Sequence, residues 1–185
     1  WVKNLFVFVP LFFSGNITNF DLLIKSFFAF LVFSFAASAV YILNDYSDIE
    51  SDRKHPEKSK RPLASGAISK TTAVVVFVGL IALCIGLIIF GGSYFHLNSW
   101  KFASIIAFYF FINLAFNFKL KHVAIIDGCI ISIGFVLRVL AGGYATGIFI
   151  SQWAILLNFV LALVLALGKR RGELINAQIS GKTRK

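Results

Sequence analysis

The chain has 185 residues, of which 58% are apolar and only 14% charged, with a formal net charge of +10. A mean hydropathy of +0.84 and 22 phenylalanines exclude an ordinary soluble domain, where about a quarter of residues are charged. The apolar residues run in unbroken blocks of about 18–22, the length a helix needs to cross a ~30 Å hydrocarbon layer. A barrel would need strict alternation in short strands. The expected fold is therefore all-α: a polytopic transmembrane helical bundle with at least five spans, forming one integral-membrane domain over residues 1–185.

The chain opens on Trp1 and contains no methionine, so it reads as a fragment or a trimmed chain. The opening "WVKNLFVFVPLFFSG" has too few apolar residues to cross alone. It is either the tail of a span or an interfacial segment broken at Pro10. Lys3 and Asn4 are polar residues at this apolar edge, suited to anchoring the interface with Trp1 or to meeting a phosphate. Membrane spans are expected at about 22–43, 72–92, 101–118, 123–144 and 151–168. Cys84 and Cys129 lie inside apolar blocks and are expected as free core thiols. His55 is expected to be solvated, and His96 and His122 interfacial.

Charge orients the bundle. The segment 53–70, the connection with Lys119 and Lys121, and the tail with Lys169, Arg170 and Arg171 are basic. The alternate connections "GGSYFHLNSW" and "ATGIFISQ" carry no Lys or Arg. With the spans as drawn, all basic segments fall on one side, the cytoplasmic one by the positive-inside tendency. Such juxtamembrane charge suits anionic lipid or phosphate rather than nucleic acid.

Between the first two long spans lies "YILNDYSDIESDRKHPEKSKRPLASG", residues 41–66, which opens the acidic and basic motif of 44–70. If the helix of 22–43 continues, Asp45, Asp48 and Asp52 fall within an arc of about 60°, with Tyr41 one turn below and Glu50 nearly opposite. Like charges at helical spacing repel, so something positive must compensate. Oxygen ligands in this arrangement suit Mg²⁺, which binds through one or two carboxylates plus substrate phosphates. The following loop supplies Lys58 and Arg61 for phosphate oxygens, two prolines and Gly66 for a turn. Mutual neutralisation in a solvated loop accounts for the same residues equally well.

Further along, Asp127 and Arg138 are ionisable residues within an expected span. They share a helix face but sit about 16 Å apart along it, too far to pair. An intramembrane charge marks a functional site by default. Snorkelling toward the far headgroups is the other reading for Arg138. Gly128, Ser132, Gly134, Gly142 and Gly143 suit close helix contact.

"NDYSDIESDR", followed by "HPEKSKRPLASG", resembles the NDxxDxxxD signature and basic loop of the UbiA-type prenyltransferase superfamily. "WVKN", "IIDGCIISIGFVLRVLAGGYATG" and "SQWAILLNFVLALVLALGKRRGEL" resemble its phosphoribosyl-transferring branch, the decaprenyl-phosphate phosphoribosyltransferases, from Trp1 to about Leu174. The resemblance implies a Mg²⁺-dependent membrane transferase of cell-envelope biosynthesis, in a bacterial inner membrane with its active site on the cytoplasmic side. It implies phosphoribosyl diphosphate as donor and a polyprenyl phosphate as acceptor. Asp45, Asp48 and Asp52 would hold the metal, and Asp127 would join them as a catalytic residue. Asn44, Arg53, Lys58, Arg61, Lys121, Arg138, Lys3 and Asn4 would contact the substrates and their phosphates.

Two features depart from the superfamily's patterns. Asp127 is followed four positions later by Ile131, so the second DxxxD of the aromatic prenyltransferases is incomplete. The branch's YSxxLK-like stretch reads "FNFKLK" at 116–121. Two other readings remain at this stage. One is the same fold using a prenyl diphosphate donor and an aromatic or other small acceptor. The other is a cation transporter, which would spread polar groups along a midplane path.

Overall fold

The computed structural model describes residues 1–54, 58–95, 99–117 and 124–179. Lys121, His55, His96, His122 and most of "FNFKLK" therefore lie outside the described residues. Those described are helical wherever they form regular structure. A 3-10 segment, Val2–Phe8, leads into α1 (Val9–Phe13), followed by α2 (Phe20–Ser47), α3 (Ile49–Arg53), α4 (Lys70–Tyr94), α5 (Ser99–Ala115), α6 (Ala124–Thr146) and α7 (Gln152–Ile179).

Among the described residues, four helical stretches are long and apolar enough to cross a membrane: Phe20–Ser47, Lys70–Tyr94, Ile126–Thr146 and Gln152–Gly172. α5, with 17 residues, reaches about 25 Å and sits at the short end of the spanning range. The bundle is an integral membrane architecture, as expected. α2 spans 28 residues, or about 42 Å, longer than the ~30 Å hydrocarbon layer. Its last turns, which carry Asn44 and Asp45, therefore stand beyond the apolar part.

Burial separates the helices into two kinds. The apolar windows of α2 and α6 are each 56% buried, whereas those of α4 and α7 are 11% and 6% buried. α2 and α6 are thus the central pair, with α4 packed on α2 and α7 on α6. The reason is side-chain size. Ala29, Ala36, Ala37, Ser26 and Ser34 on α2 are almost fully buried, and small residues let helices approach closely where lipid offers no hydrophobic drive between them. α2 begins properly capped, with Asn19 Oδ1 accepting from the Leu22 amide, as does α4, where Ser69 Oγ accepts from the Thr72 amide.

The opening segment packs onto the bundle along one side, while Trp1, Val2 and Leu5 stay exposed. Asn4, Val7 and Leu11 are buried against α6 and α2. Pro10 occupies the first turn of α1, where its missing N–H is harmless, so it starts a helix rather than breaking one. A Cβ on Gly142 would collide with the Val7 carbonyl, and one on Gly143 with the Ile150 side chain. Glycine at Gly142 is what lets the 3-10 backbone lie directly on α6. Cys84 and Cys129 are free thiols, as expected.

Candidate active site

The acidic row does not sit on one unbroken rod. α2 stops at Ser47, Asp48 takes φ −97° and ψ 2°, and α3 restarts at Ile49. The cause lies in packing. The turn lets Ile49 bury against Leu63 and Ala73, with Ile42 beside them, in a small cluster separate from the main core. The chain still rises nearly as a helix, because the Asp48 amide donates to the Asn44 carbonyl and the Asp52 amide to the Asp48 carbonyl. Asp45 and Asp52 consequently remain on one side.

That same cluster shapes the basic loop. Leu63 and Ala64 are buried, and Arg53 Nε donates to the Ala64 carbonyl at 3.1 Å. Gly66 turns the chain at φ 81°, in the left-handed region that favours glycine. The loop is therefore folded back over α3 instead of trailing into water, and it delivers Arg61 onto the acids. Arg61 Nη1 donates to Asp45 Oδ1 at 2.8 Å and to Asp52 Oδ2 at 3.0 Å. The Asp52 side chain is only 3% exposed, so its charge faces inward and depends on that guanidinium.

The other members of the motif divide. Asn44 Oδ1 is buried without a hydrogen-bond partner among the described residues. Glu50 is exposed and reaches Arg53 only at 3.8 Å, on the outer side as expected. Arg53 is used structurally by the loop. Lys58 sits half-buried in the short 3-10 turn Lys58–Lys60 just before Arg61. Among the described residues no three Asp, Glu, His or Cys side chains are gathered as a ready-made metal cage. The donor set nevertheless fits a hard cation. It offers carboxylate oxygens at Asp45, Asp48 and Asp52 and an orphaned amide oxygen at Asn44, and Mg²⁺ takes few protein ligands and completes its shell with water and phosphate.

Asp127 lies at the same basic end of the bundle. It pairs with Arg170 Nη2 of α7 at 3.3 Å, a partner that spacing along a single helix could not reveal. The end of α5 is tied to the end of α2 by Asn117 Nδ2 donating to Ser47 Oγ at 3.2 Å.

Arg138 does not snorkel. It is 5% exposed and points inward, donating from Nε to Asn4 Oδ1 at 2.8 Å and from Nη1 to the Gly134 carbonyl at 2.6 Å. The rings of Phe33, Tyr109 and Phe135 surround its guanidinium at 5.0, 5.5 and 5.5 Å. Asn4 in turn donates to Ser34 Oγ at 3.0 Å. The Asn4 amide therefore links Arg138 of α6 to Ser34 of α2. Ser34 and Tyr109 give no signal in the sequence because each stands alone within an apolar run.

Residues 5–169 match the model of the UbiA prenyltransferase family. A decaprenyl-phosphate phosphoribosyltransferase from Corynebacterium glutamicum is 40% identical over 188 residues, covering 100% of this chain and 55% of that protein. The protein of that name from Mycolicibacterium smegmatis is also 40% identical, over 98% of this chain and 56% of its own length. The one from Mycobacterium tuberculosis is 37% identical, over 98% and 59%. The chain thus spans a little over half the length of these relatives.

Proposed function

The chain belongs to the UbiA prenyltransferase family, and from that premise we propose that it is a transferase moving a 5-phosphoribosyl group from phosphoribosyl diphosphate to a polyprenyl phosphate. Pyrophosphate is the second product. The observation that carries the reading is the pair of inward carboxylates, Asp45 and Asp52, held together by Arg61 from a folded basic loop. The names of the relatives support the choice of donor and acceptor. In this reading the site faces the cytoplasm of a bacterial inner membrane, because the basic connections gather at its end.

Asp45, Asp48, Asp52 and Asn44 would hold Mg²⁺, which when bound offsets the charge growing on a departing diphosphate. The chain's own residues do the rest. Arg61 and Lys58 clamp diphosphate oxygens, Arg61 exchanging its carboxylate acceptors for anionic phosphate oxygens that a guanidinium binds equally readily. Asp127, steadied by Arg170, orients the ribose hydroxyls. The anomeric C–O bond breaks, its electron pair leaving with the diphosphate, while a lipid phosphate oxygen bonds the anomeric carbon from the opposite face. That nucleophile is already anionic near neutral pH, so no strong general base is needed.

The test offers the protein, in proteoliposomes with Mg²⁺, labelled phosphoribosyl diphosphate plus polyprenyl phosphate, or labelled prenyl diphosphate plus an aromatic acceptor. Pyrophosphate release from the first mixture alone is the expected result. Release from the second alone reverses the polarity of the reaction, and release from neither removes the enzymatic reading.

A further inference from the structure

The contact that holds the acidic site together also obstructs it. A single nitrogen, Arg61 Nη1, donates to Asp45 Oδ1 at 2.8 Å and to Asp52 Oδ2 at 3.0 Å. A divalent cation held by these carboxylates competes with the guanidinium for them.

The fold delivers Arg61 to that position from both sides. Its amide donates to the Lys58 carbonyl at 3.0 Å, and its carbonyl accepts from the Ser65 amide at 2.8 Å. Just beyond it Leu63 packs with Ile49 and Ala73, and Arg53 Nε holds the Ala64 carbonyl. The backbone at residue 61 is thus fixed by the same small cluster that fixes α3. The Arg61 side chain is 40% exposed, against 3% for Asp52. The guanidinium therefore has room to turn outward, whereas the carboxylate has none.

Two penalties meet a dication that arrives alone. It breaks the charge-assisted bonds of Arg61, which are the strong kind, and it leaves one positive charge beside another. An anion that arrives with the metal removes both penalties, because its oxygens replace the acceptors that Arg61 gives up. Coupling of this kind is reciprocal, so the metal raises the affinity for the anion by the same factor.

We infer that Arg61 is a built-in competitor of the metal. It keeps lone divalent cations off Asp45 and Asp52 and makes the site take metal and diphosphate together, as one complex. The identity of these ligands rests on the transferase reading above, whereas the competition between Arg61 and a dication stands on the two bonds alone. The consequence is opposite in sign to that of a simple phosphate clamp. Removing Arg61 strengthens binding of the metal by itself and weakens binding of the metal diphosphate.

The experiment measures binding, not turnover. Purified protein in detergent micelles is titrated calorimetrically with Mg²⁺ alone and with preformed magnesium pyrophosphate. The same titrations follow on Arg61→Gln and on Lys60→Gln, which removes a positive charge from the adjacent exposed position and controls for net charge. Arg61→Gln should bind Mg²⁺ alone about tenfold more tightly than the parent, and magnesium pyrophosphate about tenfold more weakly, the worth of one charge-assisted hydrogen bond. Lys60→Gln should follow the parent in both titrations, and adding Asp45→Asn to Arg61→Gln should abolish the gain in Mg²⁺ affinity. Unchanged or weaker Mg²⁺ binding by Arg61→Gln, or an equal gain in Lys60→Gln, refutes the competition. The parent decides the question even if Arg61→Gln fails to fold: equal affinity for Mg²⁺ alone and for magnesium pyrophosphate overturns the proposal. If magnesium pyrophosphate binds the parent but the variants show no crossing of affinities, the diphosphate reading stands and the coupling alone falls. If neither ligand binds any of the proteins, both fall.

Discussion

Replacing Arg61 with alanine should cost stability before it costs anything else. One nitrogen of Arg61 holds Asp45 at 2.8 Å and Asp52 at 3.0 Å, so the two acceptor oxygens are at most about 5.8 Å apart, and bare charges at that distance repel by about 3 kcal/mol at an effective dielectric of 20. Asp45 is partly exposed at 35%, which screens some of this, whereas Asp52 at 3% gains nothing from water and would be left without its partner. A net loss of about 2–3 kcal/mol follows, or roughly 4–12 °C in Tm at this chain length. Thermal unfolding in detergent micelles measures it. The double variant Arg61→Ala/Asp52→Asn should recover most of the loss, because the repulsion and the unpaired charge disappear together. Equal Tm for Arg61→Ala and the parent, or no recovery in the double variant, would refute the claim that Arg61 is the glue between the acids.

Asp45→Asn should lower Mg²⁺-dependent pyrophosphate release by at least about a hundredfold with the helical circular dichroism unchanged, since it removes a charge aimed at the departing group. Glu50→Gln, whose side chain faces solvent and reaches Arg53 only at 3.8 Å, should stay within about twofold in the same assay, as surface pairs contribute little. Gly142→Val should destabilise by about 1–3 kcal/mol or more through overpacking against the Val7 backbone, seen as a lower Tm. Gly86→Ala, whose Cβ would enter open space, should raise Tm slightly by the ~0.5–1 kcal/mol that alanine gains over glycine within a helix.

The membrane spans were legible because lipid imposes one requirement on every residue of a crossing helix, and a continuous apolar run satisfies it without reference to any neighbour. The acidic signature was legible for a similar reason: charges i, i+3 and i+7 share a face whenever the backbone is helical. The break at Asp48 was not, because it follows from Ile49 seeking Leu63 and Ala73, contacts made across a loop. For Arg138 the sequence posed a choice between function and snorkelling, and could not decide it. The deciding partners, Asn4 and Phe33, lie more than a hundred positions away in the chain.

What the residues determined unaided was the solvent of this protein and the sharing of one helix face by its acidic motif, since each depends on composition and local period. Tertiary structure alone decided which charges meet. It gave Asp45 and Asp52 to Arg61, gave Asp127 to Arg170, and joined Arg138 to Asn4. Pairings of that kind depend on distances between helices, and those are set by where small residues such as Ala36 and Gly142 let two backbones touch.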